Sequence, residues 1–266
     1  MRRYLELVVR QIRYQNKIFW RTPVAAFFTI GFPLMFLVLF TAIFGNDEIS
    51  SLGVTTAQFY APSLAVFGAA SATYTNLAVT TAIARDNGIL KKIRGTPLPP
   101  SAYIAGRVGS AVVIALIAVV VMLGVGVIAY GVGVRGSTLG AALVTLVVGA
   151  AAFAALGLMV AALVPNGDSS PAVANATLLP LAFVSDVFIL TEDSPGWMEA
   201  LGNFFPLKHF AVAFGEAFNP TMAGNGFAWS GTGNEYAIGL HLAVIAAWGI
   251  GAALVAGRFF KWEPQA

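Results

Sequence analysis

"ARDNGILKKIRGTPLPP" (residues 84–100) places four basic residues and three prolines between two long runs of Ala, Val, Leu, Ile and Gly. Arg85 and Asp86 form a charged exit from the preceding apolar run, and Gly88 permits a sharp change of direction. Ile89, Leu90, Lys91, Lys92, Ile93 and Arg94 have the pattern of one or two helical turns with an apolar and a basic face. Gly95-Thr96-Pro97 stops that helix, and Pro97, Pro99 and Pro100 cannot continue one. Ser101 is placed to cap the helix that follows. The segment therefore reads as a short, rigid helix set across one end of two apolar spans, where a floppy loop would need no such punctuation.

The surrounding chain fixes what kind of spans these are. The 266 residues are 58% hydrophobic and 10% charged, with a mean hydropathy of +0.80. Soluble domains carry about 25% charged residues, so the composition indicates a polytopic membrane protein. Crossing the hydrocarbon core takes about 20 apolar residues. Six stretches qualify, at 24–44, 58–82, 108–130, 139–163, 171–191 and 237–257, the fifth interrupted by Pro171, Pro180 and Asp186. All are expected as helices, because a helix satisfies its own backbone in lipid. The fold class expected is an all-α membrane protein, a single domain over 1–266 without internal repeats.

Charge gives the orientation. Arg2, Arg3, Arg10, Arg13, Lys17 and Arg21 precede the first span. Arg85, Lys91, Lys92, Arg94 and Arg107 follow the second, and Arg258 and Lys261 follow the last. Only Arg135 and Lys208 remain for the other side. The positive-inside rule then places both termini in the cytoplasm. Residues 1–22 read as an interfacial amphipathic helix, with Tyr4, Leu5, Val8, Ile12 and Phe19 on its apolar face; the alternative is a basic tail that only enforces topology. The first apolar run starts too late for the N-terminal arginines to open a secretory signal. Between the last two spans, 192–236 holds two short apolar runs separated by Pro206. They read as external re-entrant helices, or else as a small external cap.

Several chemistries lack their residues. Cysteine is absent, which removes disulfides and thiol chemistry. No Gly-Lys pair occurs, so the chain builds no Walker-type phosphate loop. His209 and His241 stand apart in sequence without an acid cluster, so no metal is expected. Polar residues inside the spans are few. Thr73 and Asn76 in the second and Asn175, Thr177 and Asp186 in the fifth are the candidate pathway residues. Asp186, near the external end, is either a pathway carboxylate or an interfacial one reaching water. Small residues at Gly68 and Ala72, and at Gly249, Ala253 and Gly257, have helix-packing spacing.

The basic turn resembles the loop between the second and third spans of ABC-2-type exporter permeases. Arg85, Asp86, Gly88, Leu90, Lys92, Arg94, Thr96, Pro97 and Leu98 match; Ala84 replaces an expected acid and Ile89 the usual Thr. "PGWMEALGNFFPLKHFAVAF" (195–214) is similar to that family's segment before the last span, through Pro195, Trp197, Asn203, Pro206 and Leu207, with Lys208 and His209 less typical. The resemblance implies a transport subunit without an ATPase of its own. Residues 84–100 would be the coupling segment, with Lys91 beside the matching residues, docked on a separate ABC ATPase subunit that carries Mg-ATP. The loop "VPNGDSS" (164–170) would be a secondary contact. A second copy, or a related permease, would complete a path for a drug, lipid or glycoconjugate in the bacterial inner membrane. No nucleic-acid partner, and no cofactor or metal on this chain, is expected. Two other readings stand beside it: a gradient-driven transporter using Asp186, and a membrane-embedded enzyme or assembly subunit, for which no polar constellation is present.

Overall fold

The computed structural model describes residues 2–49, 53–189, 195–219 and 238–263, and among them the chain is almost wholly helical. The first helix, α1 (Arg2–Trp20), precedes α2 (Pro23–Phe44), whose π-helical turn Phe27–Gly31 lies just ahead of Pro33. Proline lacks an N–H and collides with the carbonyl one turn back, and a wider turn at that point absorbs both defects. A two-strand hairpin, β1 (Glu48–Ile49) with β2 (Val54–Thr55), leads into α3, a continuous helical run over 56–86. The Thr55 hydroxyl caps it by accepting from the Gln58 amide at 3.2 Å. Then come the short α4 (Ile89–Arg94), the long α5 (Pro100–Tyr130) and α6 (Leu139–Leu163). After α7 (Ser170–Phe183) two short helices, α8 (Gly196–Phe204) and α9 (Pro206–Phe218), precede α10 (Ile238–Phe259).

Four of these helices are long and apolar enough to cross a membrane: Pro23–Phe44, Pro100–Tyr130, Gly136–Leu163 and Ile238–Phe259. They coincide with four of the six expected stretches. The second expected span is helical throughout yet less apolar than the four, and its position explains why. Every residue of Thr56–Ala70 is buried against other helices. Facing protein instead of lipid, this helix carries Gln58, Ser63 and Thr73 with their polar atoms bonded inside. The fifth expected span is helical only over Ser170–Phe183, which at 1.5 Å per residue is about 21 Å and short of the roughly 30 Å core. Beyond it the chain turns, with Asp186 at φ 56°. Of 192–236, residues 195–219 form the two short helices expected there, broken at Phe205–Pro206; the remainder lies outside the described residues.

Where lipid surrounds the helices, association rests on close packing more than on hydrophobic transfer. Gly106 and Gly109 on α5 receive α1. A Cβ at Gly106 would stand 2.3 Å from Gln11 Cβ, and one at Gly109 would stand 2.7 Å from Ile12 Cδ1. The inward stripe of α1 therefore contains Val8, Ile12 and Phe19 as expected, together with Gln11 and Gln15, while Tyr4 and Leu5 lie outside it. Gly249 does pack tightly, against Ala152, but Gly257 faces open space and Gly68 makes only ordinary contact. Ser101, expected to cap α5, is instead its second residue. Pro100 takes the first helical position, where a missing N–H costs nothing.

The α1–α5 seam can be tested directly. Gly106→Val should lower stability by about 1–3 kcal/mol, as overpacked sites do, and should speed tryptic cleavage after Arg10 and Arg13 in detergent-purified protein. Gly124→Val, on the same helix with nothing within 4 Å of its would-be Cβ, should change neither.

Candidate functional site

At the basic end of the molecule α3 stops at Asp86 and the chain reverses through Gly88, whose φ of 66° suits glycine. The helix α4 then starts with the Lys92 amide donating to the Gly88 carbonyl at 3.1 Å. The Thr96 hydroxyl ends it, donating to the Ile93 carbonyl at 2.7 Å and accepting from the Leu98 amide at 3.3 Å. Pro97, Pro99 and Pro100 carry the chain into α5. The local sequence thus produces the short punctuated helix that its spacing predicts.

What holds this helix is a buried arginine. Arg85 is 1% exposed. Its guanidinium donates to the Asp86 carboxylate at 2.9 Å, to the Ala161 and Val164 carbonyls at 2.9 and 3.0 Å, and to the Pro165 carbonyl at 3.4 Å. The other Asp86 oxygen accepts from the Gly167 amide. Two otherwise orphaned carbonyls at the end of α6 are satisfied by one fork of donors, and the loop 164–170 is bolted to the base of α4. Gly167 sits against Ile83, 2.9 Å from its would-be Cβ to that Cα. The expected secondary contact and the expected coupling segment are therefore one rigid unit.

Leu90 completes the attachment. It is 0% exposed and clusters with Ala84 and Tyr103, with Ile93, Leu98, Phe260 and Trp262 packed around them. Phe260 and Trp262 come from the chain after α10, and Lys91 reaches Glu263 at 3.7 Å across two exposed side chains. The ten coupling residues named from sequence thus sort by direction. Arg85, Asp86 and Leu90 point into the membrane domain, and Gly88 makes the turn. Lys91, Lys92, Arg94, Thr96 and Pro97 are exposed, Leu98 half-buried. Ile89, matched to a Thr in the family, is 43% exposed beside them.

The candidate pathway residues do not form one group. Thr73 is fully buried in the π-helical turn Ser71–Thr75, its hydroxyl donating to the Ala69 and Ala70 carbonyls. Its neighbour Tyr74 meets the Thr177 hydroxyl at 2.5 Å, joining α3 to α7. Asn175 is exposed on α7. Asn76 faces elsewhere, lining a cavity shared with α1 and α5. Asp186 lies past the end of α7 and pairs with Lys208 at 3.3 Å. His209 and His241, distant in sequence, meet at 2.7 Å between their Nδ1 atoms, and His209 Nε2 lies 2.8 Å from the Asn203 carbonyl. A carbonyl only accepts, so Nε2 carries a proton there. Among the described residues no group of three metal-ligating side chains occurs. The pairing of the histidines, the C-terminal aromatics and the Gly106–Gly109 seam had no signal in local periodicity, because each joins segments far apart in the chain.

A multi-pass bundle of apolar helices with a braced basic helix at one end is the architecture of a membrane transport subunit. The ABC-2 type transporter family model matches residues 6–218, and the chain belongs to that family. Over 205 residues it is 31% identical to the daunorubicin resistance ABC transporter permease protein DrrB1 of Streptomyces coeruleorubidus, covering 75% of this chain and 70% of that protein. The chain is an ABC-2 exporter permease, a transport subunit of the membrane and not itself a catalyst.

Arg85→Gln should cost about 3–5 kcal/mol, because it leaves Asp86 and the α6 carbonyls without their buried partner. Hydrogen exchange should report faster opening of residues 164–170. Asp86→Asn keeps an acceptor for the Gly167 amide but leaves the buried guanidinium without its carboxylate, so it should cost a comparable amount.

Proposed function

We propose that this chain is one half of an ATP-driven exporter in the bacterial plasma membrane. In this reading it spans the bilayer six times with both termini in the cytoplasm: the four long apolar helices, the protein-enclosed α3, and α7 with the segment that follows it. Separate ABC ATPase subunits, which bind and hydrolyse Mg-ATP, dock on the coupling segment. A second copy, or a related permease, pairs with it to enclose the path. The cargo is a hydrophobic or amphipathic compound; the drug resistance named for the relative favours a drug over a lipid or glycoconjugate.

One observation carries this reading: the division of α4 into an anchored and an outward side. Leu90 and the Arg85–Asp86 brace fasten the helix to the ends of α3, α5 and α6. Ile89, Lys92 and Arg94 are exposed as an apolar-centred basic surface, with Lys91 beside them in an exposed pair with Glu263. A force applied there passes into α3, whose far half, Thr56–Ala70, is buried throughout. The gradient-driven alternative needs Asp186 as its ion carrier. The Lys208 partner and the position past the end of α7 weigh against that role.

The test separates docking from folding. Ile89→Asp with Arg94→Glu should leave yield and thermal melting unchanged while the ATPase subunit no longer co-purifies. Leu90→Asp should lose both, since it puts a carboxylate in the buried cluster. An ATPase that still co-purifies with the outward double variant, at wild-type yield, would remove α4 from the docking surface.

A further inference from the structure

A second buried arginine has no carboxylate. Arg107, on α5, is 5% exposed. One terminal nitrogen donates to the Tyr103 hydroxyl at 2.8 Å, the other to the Thr80 hydroxyl, and the Tyr103 ring lies 5.6 Å from its central carbon. Its Nε–H is buried without an acceptor. None of the ion pairs among the described residues involves it. A guanidinium has five N–H donors, so two hydroxyls leave most of them open. Neither hydroxyl offsets the charge, and an uncompensated buried cation is among the most unfavourable groups a protein can hold.

Arg107 lines a cavity of about 110 Å³. Its polar lining comes from three helices and the turn after α1: Gln15, Thr22, Asn76, Thr80 and Ser110 join Arg107. That is room for considerably more than the single water a small polar void holds. Waters would satisfy the N–H groups but leave the positive charge unanswered. A guanidinium with unfilled N–H groups, lining one cavity with the Ser110 hydroxyl and the Gln15 and Asn76 amides, suits an oxyanion, the ligand for which arginine is well adapted. Arg107 is seven residues into α5, about 10 Å along the helix from its start at 1.5 Å per residue, close to the basic end of that span. The exposed Arg10, Arg13 and Lys17 of α1 lie on the helix that forms one wall, and they raise the local concentration of anions.

We propose that this cavity is a binding site for the phosphate of an anionic glycerophospholipid, wedged between α1, α3 and α5. Arg107 supplies the counter-charge, and the Ser110 hydroxyl with the Gln15 and Asn76 amides the remaining hydrogen bonds. The lipid joins α1 to the bundle beside the Gly106–Gly109 seam and neutralises the one buried guanidinium that the described residues leave unpaired with an acid.

The experiment is a native mass-spectrometry titration of delipidated protein in neutral detergent. Phosphatidylglycerol is the ligand, with phosphatidylcholine and inorganic phosphate run in parallel. One phosphatidylglycerol should bind tightly per chain. Arg107→Gln should weaken that binding by about tenfold or more, the usual worth of hydrogen bonds to a charged group. Asn76→Leu keeps the arginine and its two hydroxyl partners while closing the cavity, and should weaken it comparably. Arg10→Gln with Arg13→Gln should leave the tight site in place. Unchanged phosphatidylglycerol affinity in both cavity variants would overturn the site. Loss only in the α1 double variant would do so too, tracing the binding to surface charge. Inorganic phosphate binding as tightly as the lipid would overturn the lipid assignment, and equal affinity for phosphatidylcholine would overturn the need for an anionic headgroup.

Discussion

The Arg85 guanidinium, enclosed where α3, α6 and the loop after α6 meet, organises the whole basic end of this protein. A charge in that position is tolerable only with complete compensation, and the chain supplies it from two sources distant in sequence: the adjacent Asp86 and the carbonyls of Ala161, Val164 and Pro165. Those carbonyls belong to the end of α6 and the residues just after it, where helical partners run out. One interaction therefore solves two problems, an expensive cation and an uncapped helix end. It also fixes where α4 must begin, because Asp86 is the last residue of α3 and Gly88 starts the reversal.

From that anchor the rest follows as packing. The helix α3 is enclosed by its neighbours and is released from the need to be uniformly apolar. It can hold Gln58 at the far end, where the side-chain amide exchanges hydrogen bonds with both backbone groups of Gly133 and meets Asn219. Its π-helical turn at Ser71–Thr75 leaves loosened carbonyls, and the Thr73 hydroxyl takes up two of the nearby ones. Ser63, Thr73 and Thr80 thus serve the helix's own backbone. Gly157 lets α6 approach that same turn, with the Tyr74 carbonyl 2.5 Å from its would-be Cβ. The two ends of the molecule are therefore linked through one closely packed helix.

What could be read from sequence divides along the same physical lines. Lipid-facing helices announce themselves by hydropathy, and Pro23–Phe44, Pro100–Tyr130 and Ile238–Phe259 lie close to the expected positions, with α6 matching 139–163 end to end. Local punctuation was equally legible: Gly88, the Thr96-Pro97 stop and the break at Pro206 act on their own neighbourhoods. Contacts between distant segments were not. Nothing in the composition of 84–100 reveals that Leu90 turns inward onto Phe260 and Trp262, or that Asp86 reaches Gly167. Ser101 misled because its usual preference for a cap yielded to Pro100, for which the first helical position carries no penalty. The fifth stretch is helical over a shorter length than its composition suggests, because apolar residues continue past Phe183 while the backbone turns, with Asp186 held at a positive φ beside Lys208.

The two buried arginines show how far a charge count can and cannot go. Both were assigned to the basic side by the same rule, and both lie within a helical turn or two of an apolar boundary. Arg85 is enclosed by acceptors and has an acid at its side, so it acts as a fastener whose loss would be felt in folding. Arg107 has two hydroxyls, a ring face and a polar cavity, with no acid among the described residues. A membrane protein has little reason to bury a cation twice for the same structural end. The difference in compensation separates the roles: the first arginine is closed by the chain itself, while the second is left open toward the one component always present beside it, the lipid.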